Sequence, residues 1–296
     1  MGTIPLCASD ACRQSALLHA AHCRQHLPDA AAYHRQVLPR LADADGANLA
    51  RVDLRHLEID DAHLAGACLT AALLDGVRLR ASLLERAALV GASARGGMFE
   101  EIEGNGLDAS AAMLALTRWQ HVLLEDARFV GACWAQAEVR GGEFTRADFT
   151  RASLRGARFM QCTLHECWLL EADLTEAVFD GCDLSWAVLA GAQGEGVSLR
   201  RSALAHANCV GAYLEGADLT EISAPEARFS AATLTGARLS GAALPKAVFR
   251  EADLRGADLT GADLRGAILE RANLQGARMD GADLTGANLS GAITGP

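Results

Sequence analysis

The chain has 296 residues, half of them apolar, with 27 Lys and Arg against 37 Asp and Glu, for a formal net charge of −10. So acidic a chain is not expected to bind nucleic acid directly, and no apolar run approaches the ~18 residues of a membrane span. Met1 to Asp10 lacks a charged stretch followed by an apolar one, and Leu6 stands where a myristoylation signal wants Ser or Thr, so a cytoplasmic protein without a membrane attachment is expected.

The first 46 residues carry Cys7, Cys12, Cys23 and His26, a C(x4)C(x10)C(x2)H pattern followed by Leu27-Pro28. Two close-spaced pairs of sulfur and nitrogen ligands can supply the four tetrahedral positions of a zinc ion, and a site closed by four protein ligands is structural, with no open position for chemistry. His19 and His22 compete as ligands, and the alternative is three packing thiols beside a solvent-facing His26. Pro28-Asp29 reads as a helix start with Asp29 as N-cap. Tyr33, Val37 and Leu41 then recur at four as one apolar stripe, and Pro39 is expected to kink or shorten the helix.

From Leu49 to Leu289 a different rule holds. Every fifth residue is large and apolar at 43 of 49 positions, without an insertion or deletion, and all 8 Phe fall on the frame, among them Phe144, Phe149, Phe159, Phe179, Phe229 and Phe249. Two positions earlier, 33 of 49 residues are Ala. A period of five fits neither a helix nor an alternating strand. It is the mark of a solenoid whose units bury their apolar residues only by stacking. The frame specifies two inward residues per unit, one large and one small. Where the centre shrinks to Gly104, Ala109 or Ala224, the small position enlarges to Ile102, Leu107 or Ile222. Ala94, Gly194 and Cys209 show no such exchange, and local looseness is expected there.

The units Ala252 to Gly266 and Ala282 to Gly291 meet A-(D/N)-L-x-x literally, and the chain resembles the pentapeptide-repeat family. The resemblance implies an all-β solenoid, a right-handed quadrilateral β-helix with four pentapeptides per coil. The Cys7–His26 segment is similar to small Cys3His modules that precede the repeats in some members, where a C(x2)H pair is followed by a helix leading into the first coil. The domain reading is therefore 1–46 as a Cys/His segment and capping helix, 47–292 as β-helix, and 293–296 as tail. The helix is expected to cover the edges of the first coil, while the last coil is bare or meets another copy.

Six of the nine cysteines fall within the repeat frame and read as packing residues, which points to a reducing compartment. Cys162 and Cys182 lie one coil apart, stacked in parallel, and are expected as free thiols. With twenty residues per coil, the charges sum by side to +1 for the side centred on Leu49, −3 from Leu54, −2 from Ile59 and −6 from Leu64. The +1 side carries outward apolar residues, including Val130, Trp168, Leu170, Val188 and Val210, with Trp186 at its corner. These are the candidate protein-binding face.

Thr145, His165 and Ser185 share an outward column beside Glu166, but adjacent residues of a strand point apart, so no catalytic triad is expected. Gly104 to Ala109 matches G-x-G-x-x-A without a strand-to-helix setting. The run with Glu100, Glu101 and Glu103 reads instead as a bulged, irregular coil. The functional expectation is a non-enzymatic rigid scaffold binding a partner protein through one face, with homodimerisation through the last coil or the apolar face. The alternative, implied by the resemblance, is a mimic of duplex DNA acting on a type II topoisomerase such as DNA gyrase. About twelve coils at ~4.8 Å make a rod of roughly 58 Å. Duplex DNA of that length carries about 34 charges, against the net −10 here.

Overall fold

The structure, a computed structural model, describes residues 29–295. The five-residue rule follows from where each backbone N–H finds its acceptor. In the unit centred on Leu69, the N–H of Cys68 donates back to Ala47 (2.8 Å), while Leu69 and Ala71 donate forward to Ala88 (2.7 Å) and Val90 (2.9 Å). Ala72 N–H closes the corner on Leu69 C=O (2.9 Å). Outside the short strands of the third side, the N–H of the residue after the centre has no backbone partner. Asp or Asn one residue before the centre supplies it: Asp258 Oδ1 accepts from Thr260 N–H at 3.1 Å and from its hydroxyl at 2.5 Å. Asn48, Asp148, Asp183 and Asn288 accept in the same way. An unpaired donor needs an acceptor, and this Asx turn is the physical content of the second letter of the signature.

The last residue of each unit takes a positive φ, which Gly adopts at no steric cost and L-residues such as Trp186 (φ 63) adopt with some strain. Consecutive coils pair in parallel at a spacing of twenty, from Asn48↔Cys68 through Asn273↔Ile293, in four columns five residues apart. The result is the right-handed four-sided β-helix. On the third side six short strands, β1 (Glu58–Asp60), β2 (Arg78–Arg80), β3 (Met98–Glu100), β4 (Arg118–Gln120), β5 (Glu138–Arg140) and β6 (Arg158–Met160), form one parallel sheet in that order. Beyond β6 the corner of this side closes like the others, with Cys182 N–H on Phe179 C=O (3.1 Å).

Because the coils are in register, identical inward positions stack. Phe99 lies on Trp119 (centroids 4.0 Å apart), Phe129 on Phe149 (4.9 Å), Phe159 on Phe179 (5.0 Å) and Phe229 on Phe249 (5.0 Å). Trp134 and Phe144 fill the middle, Trp134 meeting Phe129 edge-on at 4.9 Å. All the Phe of the frame are buried, as are the exchanged residues Ile102, Leu107 and Ile222. The looseness expected at Gly194 is absent, because Leu214 Cδ2 lies 2.9 Å from where a Cβ would sit, and Cys209 is buried. Ala94 is likewise buried, and a cavity of about 20 Å³ lies in the first coils, lined by Leu54, Leu74, Leu79 and Phe99 but not by Ala94. The expected bulge at Glu100–Gly106 is also absent: Glu103 pairs with Leu83 and Leu123, and Gly106 is an ordinary corner (φ 69). The carboxylates are accommodated because all three point outward, where their charge stays in water.

At the N-terminal end, α1 (Ala30–Val37) starts on Asp29, whose carboxylate accepts from Ala32 N–H (2.8 Å). Pro39 ends the α-helical bonding and the chain continues as a 3₁₀ turn, Leu38–Asp43. Tyr33, Val37 and Leu41 are buried in the same apolar cluster as Leu49, Val52 and Leu54. The Tyr33 hydroxyl accepts from Asp53 N–H (3.2 Å), and Leu41 C=O accepts from His63 N–H (2.9 Å). The helix and its turn thus satisfy donors that a preceding coil would otherwise satisfy. At the other end of the described residues, Ala277, Met279, Leu284 and Leu289 are only half-buried.

Candidate protein-interaction face

A filled tube leaves its outside for function, and the +1 side is the least polar of the four. Its bridging column runs Asp148, Trp168, Val188, Asn208, Arg228, one residue per coil. The next column runs Thr150, Leu170, Ala190, Val210. Trp168 is 50% exposed, and Leu170, Val188 and Val210 are half-exposed around it. Trp186, 53% exposed, stands at the corner and stacks on the His206 imidazole at 4.2 Å and 22°. These five residues form one patch. Val130 lies in the Leu170 column but is separated from it by Thr150, so the sixth expected residue is outside the patch.

Ion pairs rim the patch. Along the Trp186 corner, Arg146 holds Asp126 (2.7 and 2.8 Å), and Glu226 sits between His206 and Lys246 (3.7 Å to each). The opposite corner carries Arg151–Glu171 (2.7 Å). The Arg146 guanidinium keeps the Asp126 carboxyl below its usual range. Elsewhere Asp218 is held low by Thr220 and Arg238, which together outweigh its partial burial. Such cross-coil pairs recur on the other sides, for example Arg80–Asp60 (2.9 Å) and Arg201–Glu221 (2.7 Å). Arginines one coil away therefore offset part of the carboxylate charge, within a chain that keeps a net −10.

Two sequence expectations change. Cys68 and Cys133 are bridging residues, partly exposed rather than packed inward; Cys162, Cys167, Cys182 and Cys209 are buried, and all six are free thiols. Burial pushes the Cys209 thiol up to about 12, so it is no nucleophile at neutral pH. His165 does meet Glu166, Nε2 to Oε1 at 3.3 Å. Both are corner residues rather than strand residues, which is why neighbours can turn the same way. Further exposed apolar side chains, Met113, Leu116, Leu123 and Tyr213, lie on other sides; summing charge by side did not reveal them, whereas reading the outward columns of every side for apolar residues would have. Cys7, Cys12, Cys23 and His26 lie outside the described residues. Among the described residues, no group of three or more His, Cys, Asp or Glu could hold a metal ion, and no helix is long and apolar enough to cross a membrane.

No curated protein matches the chain. Among solved structures it is similar to HetL, a pentapeptide repeat protein involved in heterocyst differentiation regulation from the cyanobacterium Nostoc sp. strain PCC 7120, with 28% identity over 74% of this chain and 90% of that one (TM-score 0.29). It is similar to QnrB1, a plasmid-mediated fluoroquinolone resistance protein, with 21% identity over 78% of this chain and 90% of that one (TM-score 0.34). A third is Rfr23 from the cyanobacterium Cyanothece 51142, 37% identical over 33% of this chain and 60% of that one (TM-score 0.23). Residues 135–165, 157–193, 182–221, 227–266 and 267–293 match the family model for pentapeptide repeats, in 8 copies. These stretches span just over half of the sequence, so the chain belongs to the pentapeptide repeat family.

Proposed function

We propose that the protein is a non-enzymatic rigid rod that binds another protein through the side bearing Trp168, Leu170, Val188 and Val210. The observation that carries this is the pair of half-exposed tryptophans, Trp168 and Trp186, set among aliphatic residues on a stiff surface. Exposed aromatic anchors inside a charged rim are the anatomy of a protein interface. Imitation of duplex DNA asks for an uncompensated row of negative charge, and the inter-coil arginine pairs work against it. A photo-activatable residue placed at position 188, compared with position 193 on the second side and 198 on the third, tests the reading in extracts of the source cells. Protein adducts from 188 alone support it. Equal yields from all three positions, or none from 188, contradict it.

A further inference from the structure

The binding face also carries a charge pattern that names its partner. Face-to-face contact of two rods about a twofold axis lying between them and across their length sets each column against itself, reversed. With the axis at Val188, steps of one coil bring Trp168 against Asn208 of the second copy, Leu170 against Val210, and Asp148 against Arg228. Along the corner the same operation sets Trp186 against itself, Glu166 against His206, Arg146 against Glu226, and Asp126 against Lys246. Each pair occurs twice, over six coil steps or about 29 Å at ~4.8 Å per coil. Small residues, Ala190 and Gly191, lie on the axis, where two backbones approach.

The neighbouring registers fail this test. Moving the axis half a coil toward the C-terminus opposes Glu166 to Glu226 and Arg146 to Lys246. Moving it half a coil toward the N-terminus opposes Arg128 to Arg228 and Asp126 to Glu226. An axis at Trp168 sets Glu166 and Glu171 against themselves, and one at Asn208 opposes Glu171 to Glu251 and Arg151 to Arg271. A parallel pairing places Arg146 beside Arg151 and Glu166 beside Glu171. Like charges facing across an interface disfavour a register strongly, and of these six arrangements only the antiparallel one centred on Val188 contains none. We infer that the protein bound at this face is a second copy of the chain, paired antiparallel with its twofold axis at Val188.

This rests on the proposed use of the face but goes further, and the two can fail separately. Sedimentation velocity on the full chain should show a monomer–dimer equilibrium that weakens with salt. Asp148→Arg and Arg228→Glu should each raise the dissociation constant about tenfold or more, since each sets like charges together twice. The double variant, in which the two reversed charges face each other, should return to within about threefold of wild type. Asp148 also accepts from Thr150 N–H at 2.9 Å, so melting temperatures are recorded alongside. Arg228, exposed on the surface, provides the variant that keeps that bond. A wild-type chain that stays monomeric to high micromolar concentration overturns the inference, as does a double variant no tighter than Arg228→Glu. In either case adducts from position 188 to a different protein would leave the binding face standing.

Discussion

Replacing Phe149 by Ala, beside Trp168→Ala, separates inside from outside in a single comparison. The Phe149 ring is fully buried and touches four others: Phe129 at 4.9 Å, Phe144 at 5.7 Å, Trp134 at 5.9 Å and Phe159 at 6.2 Å. Truncating a buried Phe costs about 3–5 kcal/mol, more where the surroundings cannot collapse into the space. Here they cannot, because Phe149 N–H is fixed to Trp168 C=O at 2.7 Å and Asp148 N–H to Ala127 C=O at 2.9 Å, holding the coils apart. The loss belongs in the upper half of that range. Trp168 keeps its backbone bond to Ala147 (2.9 Å) in the Ala variant and gives up a side chain already half in water, for about 1 kcal/mol or less. Urea midpoints followed by far-ultraviolet circular dichroism report the two losses, compared as midpoints because stacked repeats need not unfold in one step. Equal losses for Phe149→Ala and Trp168→Ala would refute the assignment of inward and outward columns.

Tyr33→Phe removes the hydroxyl that accepts from Asp53 N–H and should cost about 1 kcal/mol, read as faster amide exchange confined to residues 47–66; unchanged exchange there would contradict the cap. Asp258→Ala should lower stability by about 0.5–1 kcal/mol through the lost Asx turn, with Asn at 258 restoring most of it, as measured by urea midpoint. Asp126, Asp218, Asp253, Asp258, Asp263 and Asp283 all have their carboxyl pKa lowered from 3.8 in the fold. Groups with depressed folded values contribute stability that is present above the unfolded value and is lost as pH falls through the folded one, so stability should hold from neutrality to about pH 4 and decline below it; a decline centred near pH 6 would contradict this. The Cys7, Cys12, Cys23 and His26 segment is proposed to hold one structural zinc per chain, and plasma mass spectrometry on the purified full chain should find one equivalent, lost in Cys23→Ser; no zinc in the native protein would remove the assignment.

The tube was legible because its rule is arithmetic: one inward large residue and one inward small one in every five, with volume exchanged inside a unit at Gly104, Ala109 and Ala224. The corner chemistry was legible only in part. Gly at the last position announces a positive φ, but Trp186 and Arg146 adopt it too, and no residue type marks them. The pairing of His165 with Glu166 was missed because both were read as strand residues, whereas the corner turns them outward together. Gly194 read as a void because each unit was treated alone, while its space is taken by Leu214 from the next coil. Neighbours twenty residues away decide such details. On the face itself, Trp168, Leu170, Val188 and Val210 followed from column counting, whereas the stacking of Trp186 on His206 depends on side-chain geometry at a corner.

The four tryptophans provide the most direct measurement, since the frame places Trp119 and Trp134 inside the tube and Trp168 and Trp186 on its outside, on the proposed binding face. Hydroxyl-radical oxidation of the dilute chain, quantified at each tryptophan by mass spectrometry, should modify Trp168 and Trp186 rapidly and leave Trp119 and Trp134 untouched. Raising the protein concentration should then protect the first two. Oxidation of Trp119 or Trp134 as fast as that of Trp168 would contradict the account.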